Sequence, residues 1–208
     1  MDHLALLTAE VAGMTEALRD ADLSAPVAAC PGWTVRELGA HVTGVHRWAR
    51  AALSSDAPPP YDESLPQGDL AEAYAAAAGD LLEALRSTPA DQSCWTFDRG
   101  NRTASFWRRR QLHEIAVHRW DVRAYELTDE VAQDGIDEVV DFMLPRQVAA
   151  GRTTLPDGSL VLTSPGRTWT VGEGEPDVVE GSAGELLLRL WGRGDPLPGA
   201  WATTRLTP

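Results

Sequence analysis

Residues 111–121 read QLHEIAVHRWD, and this stretch indicates both a helix and a site. Glu114 and His118 lie four residues apart, so on an α-helix both side chains occupy one face about one turn apart. A carboxylate and an imidazole with this spacing can bind one metal ion without moving the backbone. A third ligand has to come from elsewhere in the chain, and His41 is the best candidate. The stretch therefore predicts a metal site in a helical bundle.

The neighbouring residues of this helix define which groups can share the site. His113 is five residues from His118, about 140° around the helix, so it points away from the site. Asp121 is three residues after His118 and lies on the same face. It is a natural hydrogen-bond acceptor for an imidazole N–H of a ligand histidine. The motif also differs from the HExxH pattern of zinc proteases, in which both histidines are ligands.

The segment TVRE at residues 34–37 has the pattern of a capping box, so a second helix should begin at residue 35. His41 then lies on the apolar face of that helix and points into the bundle, whereas His46 points elsewhere. The residues that share the face of His41 are Leu38, Val45 and Trp48. Glu37 is either the partner of Thr34 in the cap or an added polar group near the site, and the cap is the favoured interpretation.

An alternative interpretation stays open at this point. Glu114 and His118 can be an ordinary solvated pair on an exposed helix face, with His41 a core histidine. In favour of a metal, a buried glutamate without a partner is costly, and a cation would remove that cost. Two imidazoles and a carboxylate would leave four-coordinate Zn²⁺ one open position for water or a thiolate, as in catalytic sites.

Composition limits the classes of function. The chain has 208 residues and a formal net charge of −13, which argues against nucleic acid and anionic membranes as partners. No apolar run approaches the ~18–20 residues of a membrane helix, and the first residues lack a signal-peptide pattern, so we expect a cytoplasmic protein. All 18 basic residues are arginine, which suggests a high-G+C bacterial genome. Cys30 and Cys94 should be thiols in a reducing cytosol.

Periodicity predicts a helical bundle with the metal site over residues 1–150. The predicted helices cover residues 4–21, 35–53, 70–85, 103 or 105 to about 125, and 135–148. A proline-rich loop is expected between Ser54 and Gly68.

A small α+β domain is expected over residues 151–208. Alternating apolar residues around Pro165-Gly166 predict a β-hairpin that contains Leu160, Leu162, Trp169 and Val171. A further strand at residues 178–179, a capping box at residues 182–185 before a helix at 186–191, and a last strand at 201–206 complete the prediction. This part is small for an independent core.

Three segments resemble a known family. Residues 30–41, CPGWTVRELGAH, resemble the first conserved block of the mycothiol-dependent maleylpyruvate isomerase family. Residues 113–121 resemble its second block, and residues 179–193 resemble the end of its C-terminal domain. The resemblance implies a mainly α fold with a small α+β part: a DinB-like four-helix bundle followed by a sterol-carrier-like domain. It also implies a divalent metal, usually zinc, on His41, Glu114 and His118, with the actinobacterial thiol mycothiol as co-substrate.

The resemblance also suggests roles for residues outside the metal site. Arg193 lies in the block in which the family has an arginine associated with activity, so the resemblance makes it a candidate for catalysis and for binding the thiol. Its alternative role is to counter a helix dipole. Trp33 and Trp48 are candidates to line a pocket, with Trp33 a candidate for binding the thiol. The run at residues 108–110, three arginines, either binds carboxylates of the thiol or substrate or forms a solvated face.

Three functions are compatible with these observations. The first is an enzyme that uses mycothiol to isomerise a small electrophilic substrate, or to transfer sulfur to it. The second is a non-catalytic metal-binding or regulatory protein on the same scaffold. The third is a DinB-like metal hydrolase, for which Glu37 or Asp121 would have to be the general base. The sequence leaves the substrate, the physiological metal and the oligomeric state open.

Overall fold

The computed structural model describes residues 1–62, 64 and 66–207. The chain divides into two compact units, Met1–Tyr125 and Glu126–Pro208. The helical residues from 129 to 149 therefore group with the strands that follow them, whereas the sequence predicts a boundary after residue 150. Separate domains over residues 1–150 and 151–208 stay a prediction. The loop predicted from Ser54 to Gly68 includes two positions outside the described residues.

The first unit is a bundle of four helices. They are α1 (His3–Asp20), α2 (Val35–Ala52), α3 (Leu70–Ser87) and α4 (Ala104–Val122). Helix α1 packs against α3 and α4, and α2 packs against the same two helices. Leucines and isoleucines at helical spacing form its core, where the following side chains are fully buried: Leu7, Leu38, Leu81, Leu112 and Ile115. The periodicity of the sequence therefore predicts the bundle correctly.

The helix starts follow local capping chemistry. The Asp2 carboxylate accepts hydrogen bonds from the first turn of α1, and Asp69 Oδ1 accepts from Glu72 N at 2.8 Å in α3. In α2 the backbone N–H of Thr34 donates to Glu37 Oε2 at 2.8 Å, so the capping box is confirmed. The Glu37 carboxylate therefore caps α2, as the favoured interpretation predicted.

The second unit begins with a nearly continuous helical segment. It consists of α5 (Asp129–Glu138), a π-helical turn (Val139–Met143) and α6 (Leu144–Ala149). The predicted start at residue 135 is wrong, because Thr128 Oγ1 already accepts a hydrogen bond from Val131 N and begins the helix earlier.

A three-stranded sheet follows, and its strands are β1 (Gly158–Ser164), β2 (Arg167–Glu173) and β3 (Pro176–Glu180). The hairpin prediction is confirmed in register: Leu160 pairs with Val171 and Leu162 with Trp169. Strand β3 pairs with β1 in parallel, so the order is β2-β1-β3.

Helix α7 (Ala183–Leu190) begins at the predicted capping box and packs against α5 and β1. The strand predicted at residues 201–206 is wrong. The chain there forms a 3₁₀ turn (Gly199–Thr203), in which the side chain of Trp201 is buried. The predicted fold class, mainly α with a small α+β part, is confirmed. Over the described residues, no helix has both the length and the apolar character needed to cross a membrane.

Candidate metal centre

Helices α2 and α4 bring three predicted ligands together inside the first unit. One potential ligand atom each from His41, Glu114 and His118 lies within 4.8 Å of the others. Glu114 Oε1 is 3.2 Å from His41 Nε2 and 3.5 Å from His118 Nε2. The three side chains are 28%, 15% and 12% exposed, respectively. The solvated helix pair of the alternative interpretation is therefore not what the structure shows.

The second nitrogen of each imidazole has its own partner. His118 Nδ1 donates to Asp121 Oδ2 at 3.0 Å, and the side chain of Asp121 is 1% exposed. His41 Nδ1 lies 3.1 Å from the Tyr61 hydroxyl. Since a carboxylate only accepts, both Nε2 atoms donate to Glu114 in this structure. The arrangement orients both Nε2 atoms toward one point, as in metal sites whose histidines are held by outer partners.

The charge states of Glu114 and His118 depend strongly on each other. Burial by itself would raise the pKa of the Glu114 carboxyl, but hydrogen bonds from His118 and His41 and the charges of His118 and Arg110 hold it well below its usual range. Burial would lower the pKa of His118, but hydrogen bonds to Asp121 and Glu114 and their negative charges raise it overall. The site therefore stabilises a positive charge beside the Glu114 carboxylate.

Arg110 is part of the site through its contact with Glu114, a pairing that neither interpretation of the arginine run included. Its side chain is 3% exposed, and Nη2 donates to Glu114 Oε2 at 3.0 Å. Glu114 consequently has a cationic partner, so the cost of an unpaired buried carboxylate does not count in favour of a metal. Arg108 donates to the carbonyls of Leu85 and Thr88, so the interpretation of this arginine run as a solvated face is wrong for both residues. The i, i+4 spacing of Arg110 and Glu114 is the signal that could have revealed the pair.

The donor set fits a divalent cation such as zinc. Ligand atoms at about 2.0–2.1 Å from a tetrahedral ion lie about 3.3 Å from one another. The two N···O separations at Glu114 Oε1, 3.2 and 3.5 Å, are close to that value. Arg110 holds the other oxygen of Glu114, which leaves Oε1 to the two imidazoles or to a cation that replaces their protons.

The segment before α2 forms a wall of the site. The ring of Trp33 lies against that of His41, with centroids 5.0 Å apart. Trp48, the other predicted pocket residue, is instead part of an aromatic cluster with Trp95, Phe97 and Trp107. Trp33 therefore stays a candidate for binding the thiol, and the pocket role of Trp48, which also packs against Tyr61, stays a prediction.

The other histidines of these two helices are placed as helix geometry predicts. His46 is fully buried, with Nδ1 2.7 Å from Gln111 Oε1 and Nε2 3.3 Å from the Tyr74 hydroxyl. Burial lowers its pKa to about 4, against the smaller raising effects of Gln111 and Glu114. His113 is also fully buried. Neither belongs to the groups of potential ligands found among the described residues.

Arg193 lies in the second unit, just after α7. Its backbone N–H donates to the Leu188 carbonyl, and its guanidinium donates to the carbonyl of Trp191. Its side chain is largely buried. These bonds terminate α7, and the proposed role of Arg193 in catalysis and thiol binding stays a prediction.

Comparison with known proteins agrees with this architecture. Residues 4–123 match the mycothiol maleylpyruvate isomerase N-terminal domain, and residues 130–207 match the MDMPI C-terminal domain. None of the curated protein sequences matches this chain significantly.

Two solved structures have a similar fold. The crystal structure of a mycothiol-dependent maleylpyruvate isomerase superposes with a TM-score of 0.71 and 18% identity, covering 99% of this chain and 95% of that chain. A histidine-to-alanine mutant with the same description gives a TM-score of 0.69 and 17% identity, covering 92% and 88%. At 17–18% identity these structures show only that the fold is similar. Family membership is shown by the two domain matches, which together cover most of the sequence. The chain therefore belongs to the mycothiol maleylpyruvate isomerase family.

Proposed function

We propose that this protein is a zinc- or other divalent-metal-dependent enzyme that uses mycothiol to isomerise, or to transfer sulfur to, a small electrophilic substrate of the maleylpyruvate type. Family membership supports the thiol and the reaction class. The observation that supports the metal is the convergence of His41 Nε2 and His118 Nε2 on Glu114 Oε1, at 3.2 and 3.5 Å.

Each residue of the centre has a defined task in this proposal. His41, Glu114 and His118 would hold the cation. When bound, a divalent cation is a Lewis acid that lowers the pKa of a nearby thiol and favours the nucleophilic thiolate. Asp121 and Tyr61 hold the second nitrogens of the two histidines, so the rings do not rotate away.

Arg110 determines how much negative charge the centre carries. Its guanidinium balances the Glu114 carboxylate, so a bound dication would keep its attraction for an anionic thiolate. Trp33 provides an apolar surface beside His41 on which a thiol could rest. Arg193 is proposed to bind anionic groups of the thiol or the substrate.

The hydrolase alternative requires a general base near the metal, and the structure supports neither candidate. Glu37 accepts the Thr34 N–H in the cap of α2. Asp121 is 1% exposed and accepts from His118. The non-catalytic alternative would be favoured by a fourth protein ligand. Among the described residues the group around Glu114 has three members, which leaves one position of a tetrahedral ion for a substrate.

The experiment measures metal content by mass spectrometry, on protein purified without added metal, together with turnover of maleylpyruvate in the presence of mycothiol. We expect about one zinc per chain and turnover that requires the thiol. The variant His118→Ala should lose most of the metal, whereas the control variants His113→Ala and His46→Ala should retain it. Equal metal loss in all three would refute the assignment of the ligands. Bound zinc without turnover would keep the metal site and leave the substrate open, whereas a wild-type protein that binds no metal even when zinc is supplied would favour the non-catalytic alternative.

A further inference from the structure

The segment that begins the first family block is a tight turn, and it places a thiol beside the metal centre. Trp33 N donates to the carbonyl of Cys30 at 3.0 Å, and Gly32 has φ +86°, the left-handed conformation of the third position in a type II turn. Pro31 occupies the second position, where its fixed φ favours the turn. The turn directs Trp33 to His41, as described above, and leaves Cys30 on the side of His118.

Cys30 forms a second cluster of potential ligands with two residues of α4. The Cys30 sulfur, a ring nitrogen of His118 and a carboxylate oxygen of Asp121 all lie within 4.8 Å of one another. Cys30 is half-buried and is not in a disulfide. The cluster adjoins the first one, because His118 belongs to both, with Glu114 near Nε2 and Asp121 at Nδ1.

We propose that Cys30, His118 and Asp121 form a second cation position, selective for thiophilic metal ions such as Cd²⁺. This position is distinct from the metal position of the proposed function. The two positions have His118 in common, and the inference rests on the proposed function in no other respect. The donors are one sulfur, one nitrogen and one oxygen, whereas the first position offers two nitrogens and one oxygen. Since thiolates prefer soft ions, Cd²⁺ should prefer the position that contains Cys30.

Occupation of the two positions is mutually exclusive. A neutral imidazole has one nitrogen with a free lone pair, so His118 can bind one cation at a time. A cation at the second position takes the place of the Nδ1 proton that now bonds to Asp121, and the thiol proton of Cys30 leaves to solvent. Nε2 of His118 then carries the remaining ring proton toward Glu114. A thiophilic ion would consequently displace zinc from the first position.

The test is a titration of the zinc-free full-length chain with Cd²⁺, followed by the ultraviolet charge-transfer band of the cadmium–thiolate bond. We expect one Cd²⁺ per chain with this band, and release of zinc when Cd²⁺ is added to the zinc-loaded chain. Cys30→Ser should abolish the band. Cys94→Ser is the matched control, because Cys94 belongs to neither cluster of the described residues, and this variant should keep the band.

A further variant separates this inference from the proposed function. His41→Ala removes a ligand of the first position only, so it should lose zinc affinity and keep the cadmium–thiolate band. A band in this variant, combined with unchanged zinc affinity, would refute the metal ligands of the proposed function and support the second position. Absence of the band in the wild-type chain, or a band that survives Cys30→Ser, would overturn the second position, whatever zinc does. Circular dichroism should show that both serine variants fold.

Discussion

The hydrogen bond between His118 and Asp121 is the best place to test how the centre holds a metal. Asp121 Oδ2 accepts from His118 Nδ1 at 3.0 Å, inside the protein, with the carboxylate 1% exposed. This bond directs Nε2 of His118 toward Glu114 and makes the imidazole more basic, so that the Nε2 lone pair binds a cation more tightly. Replacing Asp121 should therefore weaken zinc binding without removing any of the three ligands.

The size of the effect depends on what the replacement retains. Loss of an outer partner of a ligand histidine usually lowers metal affinity 10–100-fold. Asp121→Asn retains an oxygen that can accept from Nδ1 but loses the charge, so we expect about a tenfold loss, or about 1.4 kcal/mol. Asp121→Ala loses both, and about a hundredfold loss, or about 3 kcal/mol, is expected.

The assay is competition for zinc against a chromophoric chelator at constant pH. Asp137→Asn is the matched control, because Asp137 is a partly buried carboxylate of the second unit that accepts from Arg167 and Trp169. It should leave zinc affinity unchanged. Wild-type affinity in both Asp121 variants would refute the orienting role. If Asp121→Asn abolished turnover and retained all its metal, Asp121 would instead be the base of a hydrolase.

Three further predictions concern protons and the turn before α2. Zinc affinity measured from pH 8 to 5 should fall as the pH drops through the raised pKa of His118, about tenfold per pH unit below it, because a proton then competes with zinc; a flat profile would contradict this. His46 has a pKa of about 4 when folded and 6.5 as its reference value, so its contribution to stability is present above pH 6.5 and is lost toward pH 4. In urea titrations at pH 7 and 4.5, the free energy of unfolding of His46→Gln should therefore vary by about 2 kcal/mol less than that of the wild type; equal variation would refute the assignment. Gly32→Ala should destabilise the chain by about 1–2 kcal/mol, because Gly32 has a positive φ that alanine adopts only with strain. Gly79→Ala is the control within α3, where an added Cβ meets no other atom, and it should stabilise the chain by about 0.5–1 kcal/mol. Thermal melts measure both effects.

Much of the local structure could be predicted from short stretches of sequence. The capping boxes at residues 34–37 and 182–185 begin helices in the structure. The hairpin pairs Leu160 with Val171, as the alternation around Pro165-Gly166 indicated. These features depend on interactions between residues a few positions apart, which the sequence displays directly.

The wrong predictions concern local sequence patterns that are compatible with more than one tertiary environment. The arginine run before Glu114 has the composition of a solvated helix face, but Arg110 is buried against that glutamate. Residues 201–206 are predicted as a strand, but the chain there forms a 3₁₀ turn that buries Trp201. Neither outcome follows from the local sequence, because each depends on the surface that happens to lie opposite.

The sequence by itself determined that Glu114, His118 and Asp121 share one face of a helix, since 3.6 residues per turn leaves no other arrangement. Only the tertiary structure brought His41 to 3.2 Å from Glu114, across 73 residues of chain. The same holds for Cys30, which approaches His118 through a turn far from α4 in sequence. The physical reason is that helical periodicity is a short-range property, whereas the distance between two helices depends on how their side chains fill the space between them.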